Sequence, residues 1–188
     1  MRTATAFALL LLAAGCGRPP GEEEVARARE RAEDAAAKLM GALFQELQDA
    51  LAGGRPEQAI DVCAGTAPVI AKRIGEETGV VVRRTSLQYR NEANAPDEYE
   101  RAWLEKAAAA AASATGTAEA VELPDGTWEL RYMRPVQLAE MCTTCHGEAH
   151  QIPPAVGEAI ARRYPGDRAT GFKPGDLRGA ISVRVPFE

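Results

Sequence analysis

Cys142-Thr143-Thr144-Cys145-His146 is the stretch on which the reading of this chain turns. Two cysteines separated by two residues and followed at once by histidine form the attachment pattern of c-type haem. Each thiol can form a thioether to one vinyl group, and the adjacent histidine can bind the iron through an imidazole nitrogen. Gly147 comes next, where a missing side chain lets the backbone turn beside a large flat ring. Two other readings use the same residues. A dithiol redox pair normally sits in a thioredoxin-like βαβ setting, whereas this motif follows a strand-like run and leads into a proline-containing loop. A zinc ion would take Cys142, Cys145, His146 and His150, but the adjacent Cys145 and His146 fit a small tetrahedral ion poorly. One covalent haem c is the expected cofactor.

Such attachment needs reduced cysteines outside the bacterial cytoplasm, so an export signal is expected. Arg2 is a minimal basic start, and residues 4–14 form a short apolar run centred on Leu9-Leu10-Leu11-Leu12. The run is too short to span a bilayer and fits a signal peptide over residues 1–15. It ends in Ala13-Ala14-Gly15-Cys16, which resembles a lipoprotein cleavage box, with Ala13 where leucine is usual and Leu12 one place further out. Cys16 is the expected lipidated residue. Residues 16–21 then form a tether that holds the protein on the periplasmic side of a bacterial membrane. Ordinary cleavage would instead leave a soluble periplasmic protein. Of the four cysteines, Cys63 is left over in an oxidising compartment. The net charge is −5 with no cluster of lysine and arginine, so nucleic-acid binding has no electrostatic support.

Outward from the motif, residues 121–123 and 128–136 flank Pro124-Asp125-Gly126-Thr127, a hairpin signal. Residues 80–85 and 179–187 read as further strands, and 22–51, 56–77, a segment from Pro96, and 154–164 as helices. Long helices first and strands grouped late predict an α+β fold with an antiparallel sheet, one domain over residues 22–188. In the long N-terminal helix, Leu39, Leu43, Leu47 and Leu51, widened by Met40 and Phe44, make the apolar stripe. Its first half is charge and alanine, and reads as a solvated stalk or as one side of a homodimer contact. In the second helix Ile60, Cys63, Ala67, Ile70 and Ile74 share a face, so Cys63 points inward, and Pro68 predicts a kink just after it.

The residue facing the iron from the other side is left open by spacing. His150 lies on the same side as His146, Met141 borders the motif, and Met40 belongs to the helix stripe. Met133 and Cys63 remain as soft ligands, with simple burial as the alternative for Cys63. Arg83, Arg84, Arg131 and Arg134 either pair with haem propionates or stay solvated.

Five segments come in a telling order: Arg84-Thr85-Ser86, Arg90-Asn91-Glu92-Ala93-Asn94-Ala95-Pro96-Asp97-Glu98-Tyr99-Glu100, Tyr132-Met133-Arg134-Pro135, the haem motif with Gly147, and Gly175-Asp176-Leu177-Arg178-Gly179-Ala180-Ile181-Ser182-Val183. Together they resemble the Tll0287-like family of c-type haem proteins, from about Pro56 to the C-terminus. The resemblance implies a PAS-like antiparallel sheet with flanking helices. It also implies a haem c held by the motif histidine and a distal cysteine. That cysteine matches Cys63 in Ala59-Ile60-Asp61-Val62-Cys63, ahead of Ala67-Pro68.

A haem with both axial positions filled suits a redox or small-ligand sensor in which one axial bond breaks. The competing role is a periplasmic electron-transfer cytochrome with a protein partner. No set of residues has the spacing of a distal catalytic site, so an enzyme has no support.

Overall fold

Glu22, Glu23 and Glu24 open α1 (Glu22–Ala52), where their charge meets the positive end of the helix dipole. The Glu24 carboxylate accepts the Gly21 amide at 2.7 Å and completes that terminus. This computed structural model describes residues 17–110 and 113–187, so the expected signal peptide and Cys16 lie outside the described residues.

The first half of α1 is not a solvated stalk. Ala28, Ala32, Ala35, Ala36 and Leu39 are its buried residues and pack with Ile70, Ile74, Val82, Leu130, Ile181 and Val183. The second half, where the stripe of large residues was expected to make the core, instead lines a cavity with Leu43, Phe44, Leu47 and Leu51. The reversal has a simple cause. Alanine is often fully buried, and an alanine face lets a helix approach a sheet closely. Counting large hydrophobes misses such a face.

The second helical segment is broken rather than merely kinked. It consists of α2 (Ala59–Asp61), a π-helical turn over Val62–Thr66, and α3 (Ala67–Thr78). In the π turn the Ala67 amide donates to the Val62 carbonyl, five residues back. Pro68 stands directly after the π turn, where its missing amide leaves a carbonyl of that turn without a helical donor. At the place where a kink was expected the structure has a π turn, and that turn contains Cys63 itself. Gly79, at φ +66°, ends α3 in the left-handed region that glycine adopts without strain.

The sheet has the strands β1 (Val81–Thr85), β2 (Thr117–Glu122), β3 (Trp128–Gln137) and β4 (Leu177–Pro186). They are antiparallel throughout, in the order β1-β4-β3-β2. The predicted hairpin joins β2 to β3: Leu123 donates to the Thr127 carbonyl at 2.7 Å, and Gly126 supplies the φ of +80° that the turn needs. The last strand enters the middle of the sheet, so the chain end and the chain middle share one core.

Alternation along β3 sorts its side chains. Leu130, Tyr132 and Val136 face α1, while Met133 packs with Leu104 of α4 (Glu98–Ala110) on the other face. The α4 start lies two residues later than the Pro96 expectation because Asp97 caps it. The Asp97 carboxylate accepts the Glu100 amide at 2.7 Å, and Glu100 returns a bond to the Asp97 amide at 3.0 Å. Three ion pairs cover this face: Arg83 with the fully buried Glu100 at 2.8 Å, and Arg131 with Asp97 at 2.6 Å and with Glu129 at 3.3 Å. Two short helices, α5 (Thr143–His146) and α6 (Pro154–Arg163), complete the chain beside the cavity.

Candidate haem site

The second half of α1, the π turn, the end of β1 and the attachment motif enclose a mostly apolar cavity of about 590 Å³. That size falls within the range of cofactor pockets. Cys142, Cys145, His146 and Cys63 all line it. Cys142 packs on Leu138, Ala169 and Phe172, and Cys145 on Ile60, Ile160 and neighbouring residues. Burial pushes the Cys145 thiol up, against the nearby charge of Arg90. The cysteines therefore meet the cavity from a short helical turn set in packed surroundings.

His146 is oriented by the loop before β4. Its Nδ1 lies 2.7 Å from the Ala169 carbonyl oxygen. A carbonyl only accepts, so Nδ1 carries the hydrogen, and Nε2 keeps the lone pair a metal requires. Phe172 meets the ring edge to face, with centroids 6.4 Å apart. Burial lowers the His146 pKa to about 3, aided by the charges of Arg178 and Arg90. The imidazole is thus neutral, as a ligand must be. Gly147 has an ordinary φ of −69°, so conformational freedom is not its reason. A Cβ there would lie 2.7 Å from the Thr143 carbonyl oxygen, and that close approach is what requires glycine.

The fold bears on three alternatives weighed in the sequence, of which the zinc set was already disfavoured by spacing. Met133 is fully buried on the α4 face of the sheet and does not line the cavity, because strand alternation turns it away. Arg83, part-exposed, and Arg131, buried, do not line the cavity, since acidic partners on the α4 face hold both. Arg134 also stays outside the cavity wall, so Arg84 is the one of the four that lines it. The zinc set is not assembled either: among the described residues no three His, Cys, Asp or Glu side chains converge on a point, and His150 is exposed.

Arg90 and Arg178 are cavity residues that the sequence reading did not single out, although both lie inside the segments that carry the resemblance. Arg90 is almost fully buried. It pairs with Asp167 at 3.0 Å and donates to the carbonyl oxygens of Cys145 at 2.6 Å and Ala169 at 3.3 Å. Arg178 donates to Ser86 Oγ at 2.9 Å and stands over the Phe172 ring at 5.3 Å. Burial, together with Arg90 and Arg84, lowers its pKa to about 10, where it still carries its charge at neutral pH. No spacing rule marks such residues. Only the fold brings positions 84, 90 and 178 to one wall.

The chemistry of this donor set fits a c-type haem. Two thiols suit the vinyl groups, a neutral imidazole with a pinned tautomer suits the iron, and Cys63 offers a soft second ligand. None of the described helices is long and apolar enough to cross a membrane.

A comparison with family models matches the Tll0287-like model over residues 22–186. Among solved structures, the chain is similar to that of the cyanobacterial haem protein Tll0287, with a TM-score of 0.62 and 25% identity over 90% of this chain and 98% of that one. Among curated proteins nothing matches.

Proposed function

The chain belongs to the Tll0287-like family, and we propose that it is a periplasmic, membrane-tethered monohaem c-type protein that senses redox state or a small ligand. Cys142 and Cys145 would hold the haem as thioethers, and His146 and Cys63 would be the axial ligands. Cys16, outside the described residues, would carry the lipid. The carrying observation is the meeting of four groups in one apolar cavity: two motif thiols, an imidazole whose Nδ1 is committed to Ala169, and a free cysteine on a π turn. The similarity to a haem protein supports the choice of cofactor.

When bound, haem supplies a one-electron couple and, if an axial bond opens, a place for a small molecule. The residues supply the rest. Ala169 holds His146 in one tautomer, and the apolar wall of α1 keeps water away. A Cys63 thiolate would favour the oxidised state by donating charge. Its position in a π turn gives it a means of moving, because a π turn carries one residue more than an α turn, and relaxation to α geometry would shift Cys63 along the helix. An electron-transfer role is the competing reading. Phe44 and Met141 favour it, being exposed at the cavity rim, where a redox partner would dock.

Ferric and ferrous absorption spectra of the mature protein decide between the two. A sensor changes its axial ligation on reduction, and a carrier keeps one ligand set in both states. Acidified organic extraction checks the thioethers: haem that leaves the denatured protein freely rules them out. Mass spectrometry of the mature N-terminus checks Cys16, and an unmodified terminus removes the lipid anchor.

A further inference from the structure

We propose that Arg84, Arg90 and Arg178 form the site that binds the two propionate carboxylates of the haem. The inference rests on the c-haem reading above and assigns residues that the attachment motif does not. All three residues line the same cavity. Asp167, on Arg90, is the one carboxylate bonded to any of the three guanidinium groups among the described residues. The partners of Arg178 are neutral: Ser86 Oγ at 2.9 Å, the Gln88 carbonyl at 3.1 Å and the Phe172 ring. Arg84 reaches only the Cys63 carbonyl, at 3.5 Å. Glu46 lies on the α1 wall but forms no ion pair with them.

Two guanidinium groups are therefore left without an acidic partner, and a haem brings two carboxylates. The contrast with the α4 face is direct, since Arg83 and Arg131 there have Glu100, Asp97 and Glu129. Gathering cations in a partly desolvated space is costly without counter-charge. A guanidinium fork matches a carboxylate in geometry as well as in sign.

A carboxylate between Arg84 and Arg178 would accept from both guanidinium groups. Arg90 also donates to the carbonyls of Cys145 and Ala169, so the same cluster ties the propionate edge to the peptide that orients His146.

The test measures the reduction potential of the haem-loaded protein against pH by spectroelectrochemistry. The variants are Arg84→Gln, Arg84→Lys and Arg178→Gln, with Arg134→Gln as a loss of charge away from the cavity. With unchanged ferric spectra, Arg84→Gln should lower the potential and give it a slope through the mildly acidic range, as a carboxylate loses its cation and titrates higher. Arg84→Lys should recover most of the wild-type profile. Arg178→Gln removes the other guanidinium that lacks an acidic partner, so it should lower the potential and add a slope in the same direction. Profiles for Arg84→Gln and Arg178→Gln that match Arg134→Gln would overturn the proposal. If Arg84→Gln does not accumulate, Arg178→Gln decides in the same way. Acidified extraction of the wild type separates the two levels: freely extracted haem removes the c-haem reading, whereas retained haem with unaltered pH profiles removes only the propionate site.

Discussion

Asp167 reaches His146 through a single residue, Ala169. Its Oδ1 accepts the Ala169 amide at 3.0 Å, and the Ala169 carbonyl accepts from His146 Nδ1 at 2.7 Å. Arg90 closes the arrangement by pairing with Asp167 and donating to the same Ala169 carbonyl. The orientation of the motif histidine is thus set by a loop more than twenty residues downstream.

Asp167→Ala should therefore cost both stability and ligand order. Both side chains of the Arg90 pair are about nine-tenths buried. Removing one partner of such a pair typically costs about 3–5 kcal/mol. Urea unfolding would show it as a lowered midpoint, and the haem spectrum should broaden or become mixed. An unchanged midpoint would mean that the pair is not a structural tie.

Cys63→Ala should open the axial position and raise the reduction potential, because an electron-donating anion is lost. Cys63→Ser should not restore the native spectrum, since a neutral hydroxyl is a hard, weak donor. Met133→Leu should leave the spectrum as it is, at less than about 1.5 kcal/mol in stability, because Met133 lies on the far face of the sheet. Ferric spectra of wild type and Cys63→Ala that superimpose would reduce Cys63 to a packing residue.

Ala35→Leu should destabilise the protein by about 1–3 kcal/mol through overpacking. Ala35 is fully buried between α1 and the core. On a solvated stalk the same change would be neutral or slightly favourable to the helix, so thermal unfolding separates the two outcomes.

Acid should loosen the α4 face. Burial works against the Asp97 carboxylate, but the Glu100 amide and the Arg131 guanidinium outweigh it and hold Asp97 below its ordinary value of 3.8. A group with a lowered folded-state pKa contributes stability that is fully present above its unfolded value. That contribution is lost as pH falls through the folded one. Stability should thus drop as pH falls below the ordinary carboxylate value, and Asp97→Asn should flatten that part of the profile. An equal acid slope in both proteins would show that the loss arises at other carboxylates.

The attachment motif, the hairpin, the helices and the α+β class were legible in the sequence because each depends on near neighbours. Cys142, Cys145 and His146 are contiguous, Pro124-Asp125-Gly126-Thr127 is its own turn, and periodicity is a property of one segment. The inward face carrying Cys63 was legible for the same reason, although the π turn that holds it was not. A change of one residue in hydrogen-bond register leaves little mark on a hydrophobic pattern. What only the tertiary structure decided were the choices that compare distant segments. Strand alternation against α4 removed Met133 from the cavity, and acidic partners from α4 and its cap claimed Arg83 and Arg131. Packing against the sheet turned an alanine-rich half-helix into core and left the leucine half to cover the cavity. Insertion of β4 beside β1 brought Arg178 to Arg84, and the loop before β4 brought Ala169 to His146. Each of these depends on which surfaces meet, and periodicity within a single segment carries no information about its partner.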